Sequence, residues 1–153
     1  MVLLVAIQDA AGYFLRMSAA DWEALAERGY GAWSRGDLEG LLDALTTDVL
    51  FRPAGAFPGF ADEYRGHEGM REFWAQIKEP WELFTIEALS IEPAQDDLAL
   101  VEIRFHGVGR GSGVEVDLDF FHVVRRRDDR VAELHSHASR ADALAAHGLR
   151  PQA

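Results

Sequence analysis

The chain contains no cysteine, only one lysine (Lys78) and no long apolar run. Without cysteine there is no disulfide, no thiol nucleophile and no thiolate metal site, which fits a reducing compartment; a cytoplasmic location is expected. Positive charge is therefore nearly all arginine, and it is outnumbered. Fifteen basic residues face 26 acidic ones, giving a net charge of -11 and a pI near 4.9. Nucleic acid and anionic membrane surfaces would be repelled, so neither is expected as a partner. The apolar stretch Val2 to Ile7 lacks a basic leader and is too short to span a bilayer.

What is present is ordinary globular material. At 153 residues, 48% hydrophobic and 27% charged, the chain fits one domain that buries roughly 70% of its unfolded surface. Ser18 with Asp21 reads as a variant capping box. Trp22, Leu25, Ala26, Tyr30 and Trp33 then repeat at helical spacing. Gly36 suits a left-handed helix end and Asp37 caps the next helix, whose stripe is Leu38, Leu41, Leu42 and Leu45. Asp48 to Arg52 reads as a short strand stopped by Pro53. A loop rich in glycine, proline and aromatics (Phe57, Phe60) follows, and Met70, Phe73, Trp74 and Ile77 mark a third helix ended by Pro80.

Beyond Pro80 the period changes to two. Glu82 to Ile91, Leu98 to His106, Val114 to Val124 and Val131 to Ala138 read as strands. Gly107 to Gly113 and Asp128-Asp129 are the turns between them, and Ser139 with Asp142 caps a last short helix ending at Gly148. Helices followed by an antiparallel meander make an α+β domain.

Two segments carry a family resemblance: Ala32-Trp33-Ser34-Arg35-Gly36-Asp37-Leu38-Glu39 and Tyr64-Arg65-Gly66-His67-Glu68-Gly69. With the strand-rich C-terminal half, they resemble the SnoaL-like branch of the nuclear transport factor two-like superfamily, from about Ser18 to Leu149. The resemblance implies a cone-shaped curved sheet packed against three helices of the N-terminal half, around a small-molecule pocket. It also implies a homodimer through the outer sheet face. Residues 1–17 are then expected to be an extension without catalytic role, 18–149 the domain and 150–153 a tail. Met17, just before the family-like pattern, is a candidate natural start.

The same comparison argues against steroid isomerase chemistry. The isomerase tyrosine, general base and oxyanion-hole aspartate would fall at Gly29, Pro53 and Phe121, none of which can perform those roles. It places Asp117, Asp119 and Phe121 on the pocket side of one strand, and Ala132, Leu134, Ser136 and Ala138 on that of the last.

The strands flanking Gly107 to Gly113 are heavily charged. Glu102, Arg104 and His106 share one face, as do Glu115, Asp117 and Asp119; Ala99, Val101, Ile103 and Phe105 oppose the first set, and Val116, Leu118 and Phe120 the second. Closing the hairpin sets Arg104 near Asp117 and Glu102 near Asp119, to within one or two residues. If this polar face lines the cone, Asp119 is the acid or base, Arg104 binds an oxyanion or carboxylate, and Asp117 assists. The competing reading is a solvated face. Tyr30, Trp33, Phe57, Phe60, Trp74, Phe121 and Leu134 are the candidate ligand contacts.

Glu133, His135 and His137 share a face of the last strand, with His122 expected across the hairpin from them. They are weak metal candidates, on the outer face. His67 reads as a residue supporting its turn, and Arg125-Arg126-Arg127 beside Asp128-Asp129 as a solvated turn. No cofactor is expected. Two functions remain open: an acid/base enzyme (cyclase, isomerase or hydratase-like) acting on a small hydrophobic metabolite, or a non-catalytic ligand-binding or dimerising module.

Overall fold

The computed structural model describes residues 20–56, 59–95 and 97–150. The expected N-terminal extension, the Ser18 cap and Phe57 lie outside the described residues. Helix α1 (residues 20–34) buries Trp22, Leu25 and Trp33 along one stripe. It stops where Gly36 takes φ 72°, with the Asp37 amide donating to Ala32 O at 2.8 Å. Only glycine adopts that left-handed conformation without strain. The Asp37 carboxylate then accepts from the Gly40 amide (3.0 Å) and caps α2, Leu38–Asp43.

Strand β1 (Leu45–Gly55) is longer than expected and runs through Pro53. The proline sits within a register shift between Arg52 and Gly55, where its missing N–H breaks no regular ladder bond. After β2 (Tyr64–Arg65) and α3 (Gly66–Lys78) come the long strands β3 (Trp81–Gln95), β4 (Leu98–Gly109), β5 (Glu115–Arg127) and β6 (Arg130–His137). Helix α4 (Arg140–Ala146) is capped by Ser139, whose Oγ accepts from the Asp142 amide at 3.1 Å. His67, expected to support its own turn, instead reaches the start of β1, with Nε2 3.2 Å from Leu45 O.

The six strands form one sheet in the order β2-β1-β6-β5-β4-β3. Only the β1–β6 pair is parallel. Register shifts in the β1–β6, β3–β4 and β5–β6 pairs bend this open sheet into a cone wall. Helix α1 is pinned inside the curve. Ser34 Oγ accepts from the Ile86 amide and donates to its carbonyl, both at 2.9 Å, closing the free edge of β3. At the other end, the Arg126 guanidinium lies 5.0 Å over the Trp22 ring.

The two faces of the sheet separate by residue parity. Phe105, Ile103 and Val101 of β4, with Phe120 and Val124 of β5, point inward into the main core. The outer face is covered in part by α4, where Ala143 packs with Leu98, Leu100 and Val123.

Candidate functional site in the cone

Between α1 and the inner face of the sheet lies a cavity of about 50 Å³. Helix α1 contributes Trp22, Leu25, Gly29, Tyr30 and Trp33; the sheet contributes Ile91, Val101, His122, Val124 and Leu134. Among the described residues, no carboxylate lines it.

Its polar groups are Tyr30 and His122. The Tyr30 hydroxyl is 2.7 Å from His122 Nδ1, with the rings stacked at a 5.8 Å centroid separation. His122 Nε2 is buried without a hydrogen-bond partner among the described residues. The hydroxyl proton has Nδ1 as its acceptor, so the tautomer leaving fewest orphans carries hydrogen on Nε2. In the opposite tautomer both the tyrosine proton and the Nε2 lone pair go unpaired. With hydrogen on Nε2, His122, a residue lining the cavity, carries a buried and unpaired N–H donor. The indole Nε1 groups of Trp22 and Trp33, on side chains that also line the cavity, are buried and unpartnered as well. Burial pushes the Tyr30 hydroxyl pKa upward. Burial also depresses His122 to about 3, helped by repulsion from His137 and His135. Both groups are neutral at pH 7.

The expected acid/base residues are elsewhere. Arg104 and Asp119 are partners, joined by two bonds of 2.9 and 3.0 Å, and both are about half exposed on the outer face. Arg104 thus faces Asp119 rather than Asp117, a two-residue shift; Asp117 pairs with His106 at 2.8 Å. The physical reason is parity. Phe120 and Ile103 fill the core, so the intervening Asp119 and Arg104 must point away from it. The guanidinium holds the Asp119 carboxyl below its usual range, suiting a fixed ion pair.

Among the expected ligand contacts, Tyr30, Trp33 and Leu134 line the cavity. Trp74 is core, packed 5.5 Å from Trp33, and Phe60 packs 5.0 Å from Phe73. Phe121 is on the outer face beside α4, opposite in parity to Leu134. Ser136 is fully buried, as the expected inward parity of β6 requires. His122 was expected beside His135 and His137, but it pairs in register with Ser136 and so lies inside. The signal was available in its even-numbered parity with Val116, Leu118 and Phe120.

Glu133, His135 and His137 do share the outer face, and His147 from the end of α4 joins the two histidines. His137 Nε2 is 3.0 Å from His147 Nε2. Burial, then repulsion from neighbouring histidines, lowers His135 to about 4; burial likewise lowers His137 and His147.

A bent open sheet wrapped around a helix and a small apolar cavity is the nuclear transport factor two-like architecture. Within that class the chain belongs to the SnoaL-like domain family, whose model matches residues 26–134. No curated protein matches the chain. Among solved structures it is similar to TerC co-crystallised with polyporic acid, at 22% identity and TM-score 0.66, covering 82% of this chain and 95% of that one. A protein of unknown function from Burkholderia pseudomallei K96243 matches at 22% identity and TM-score 0.68, with the same coverage. A Mycobacterium tuberculosis protein in complex with estradiol-17beta-hemisuccinate matches at 15% and 0.65, covering 77% and 93%. Among the described residues no helix is long and apolar enough to cross a membrane.

Proposed function

We propose that this protein binds a small hydrophobic molecule inside the cone, through an oxygen acceptor that takes the hydrogen bond of His122 Nε2–H. The observation carrying this reading is the buried, unpartnered Nε2 in an otherwise apolar wall, held by Tyr30. A buried donor without a partner costs about 1–3 kcal/mol, which a ligand oxygen would recover. The bound relatives, one with polyporic acid and one with a steroid ester, are consistent with an apolar ligand bearing oxygen. Drug-sized ligands need roughly 300 Å³ or more, so admitting one requires the cavity to widen, against the bonds that hold α1 to the sheet.

Binding is favoured over proton transfer. Among the described residues no carboxylate lines the cavity, and a histidine depressed to about 3 is a poor base near neutrality. A cytoplasmic homodimer belongs to the same reading. Its contact would use the part of the outer face carrying Arg104, His106, Asp117 and Asp119, and sedimentation would report the mass.

The test uses Trp22 and Trp33 as reporters. Steroid and aromatic ketone probes are titrated while intrinsic fluorescence is followed. Saturable quenching that weakens in His122→Leu supports the proposal. Absence of quenching across the panel, or equal affinity in the variant, overturns it.

A further inference from the structure

On the opposite face of the sheet, His135, His137 and His147 converge from two elements. Alternation along β6 points His135 and His137 the same way, with ring centroids 4.3 Å apart. His147 arrives from the end of α4. There Gly148 turns the chain at φ 62° and the Leu149 amide closes on Leu144 O at 2.9 Å. Ala143, fully buried against the sheet, seats the helix over β5. The His147 ring meets the other two nearly edge-on, at 5.0 and 5.1 Å. One nitrogen from each ring can be chosen so that all three lie within 4.8 Å of one another.

We propose that His135, His137 and His147 form a binding site for a divalent transition metal such as zinc, clamping α4 to β6. Zinc–nitrogen bonds of about 2.0–2.1 Å at tetrahedral angles require nitrogens about 3.3 Å apart. The His137 to His147 separation of 3.0 Å is already close to this, and His135 completes the set by a modest side-chain rotation. An all-imidazole set selects zinc, cobalt, nickel or copper over magnesium and calcium, which prefer oxygen. Three ligands leave a fourth position for water or an anion. Arg52, which lines the same depression as His135 and His147, stands where it would favour an anion there.

Charge around the site is mixed. Arg52 and Arg125 oppose a cation, but Arg125 is held by Asp97 at 2.6 Å and by Glu133 at 3.4 Å. Asp142 lies on the favourable side for His137. Affinity is therefore expected to be moderate and to come from the imidazoles.

The experiment titrates zinc chloride, then cobalt chloride, into the full chain carrying no histidine tag and stripped with chelator. Calorimetry should give one metal per chain and a rise in melting temperature. His135→Ala and His147→Gln should each weaken binding by about tenfold or more, while His106→Ala, at the pair with Asp117, leaves it unchanged. Cobalt bound to the unaltered protein should show the visible bands of a tetrahedral nitrogen site, a readout independent of how any variant folds. Lack of zinc binding, undiminished binding in both site variants, or octahedral cobalt bands overturns the proposal. Cavity ligands play no part, so this result stands or falls apart from the binding function.

Discussion

The Tyr30 hydroxyl and His122 Nδ1 share a hydrogen bond of 2.7 Å, tying the middle of α1 to the inner face of β5. His122 is buried and Tyr30 half-buried, with its hydroxyl turned in to the ring, so each depends on the other for satisfaction. Tyr30→Phe removes the only hydrogen-bond partner the His122 ring has among the described residues and should cost about 1–3 kcal/mol. Replacing both groups with apolar ones, as Tyr30→Phe with His122→Leu, should cost less than Tyr30→Phe alone. Urea midpoints of Tyr30→Phe, His122→Leu and the double variant settle the matter; simple addition of the two single losses would disprove the coupling.

Stability should fall with acid before the carboxylates titrate. His122 has an ordinary value of 6.5 and is lowered to about 3 in the fold. Below pH 6.5 the unfolded chain takes up a proton that the folded one refuses. The contribution is thus complete above 6.5 and lost progressively as pH drops towards 3. His135, His137 and His147 are shifted in the same direction and add to the trend. The slope for His122 approaches 1.4 kcal/mol per unit, to order of magnitude. Denaturation midpoints between pH 7 and 5 should show it, and His122→Leu should flatten it. An unchanged slope in that variant would contradict the burial argument.

The fold was legible because its signals are local. The stripe Trp22 to Trp33, the stop at Gly36 with Asp37 capping next, and the change of period after Pro80 each act within a few residues. The lining of the candidate cavity was legible only in part. Tyr30, Trp33 and Leu134 follow from apolar faces, since hydrophobic burial decides which way a face turns. The error arose at the charged strand faces, where family alignment overrode parity. The run from Val116 to Phe120 marks the inward side, and His122 continues it. The contact of His147 with His135 and His137 depends on how α4 docks, a tertiary fact that no local pattern encodes.

Asp119→Asn should leave ligand binding and the fold intact. The carboxylate faces outward, bonded to Arg104, and exposed pairs of this kind contribute little. Circular dichroism and the fluorescence titration should both overlay those of the unaltered protein. A loss of ligand affinity would return the outer face to consideration as the site.

Gly55→Ala should be among the most damaging single-atom additions. A Cβ there would stand 2.0 Å from Ser136 O, which is backbone and cannot swing aside. The change therefore pushes β1 away from β6 at the pair Gly55 and His137. Overpacking of this kind costs about 1–3 kcal/mol or more. Thermal unfolding measures it, and a melting temperature equal to that of the unaltered protein would mean the two strands do not approach so closely in solution.

Leu134→Ala tests whether cavity size limits ligand access. Leu134 is 8% exposed and forms part of the wall opposite α1. Truncating it removes packing and should lower stability by about 2–5 kcal/mol. The same change enlarges the cavity beyond its present 50 Å³ without touching Tyr30 or His122. If α1 must move to admit ligand, the extra room relieves part of that movement. Bulky apolar probes should then bind more tightly even as the protein melts earlier. Tighter binding with lower stability is a combination that general unfolding cannot produce. Unchanged affinity for every probe in a variant that remains folded would place the ligand away from Leu134 and outside this cavity.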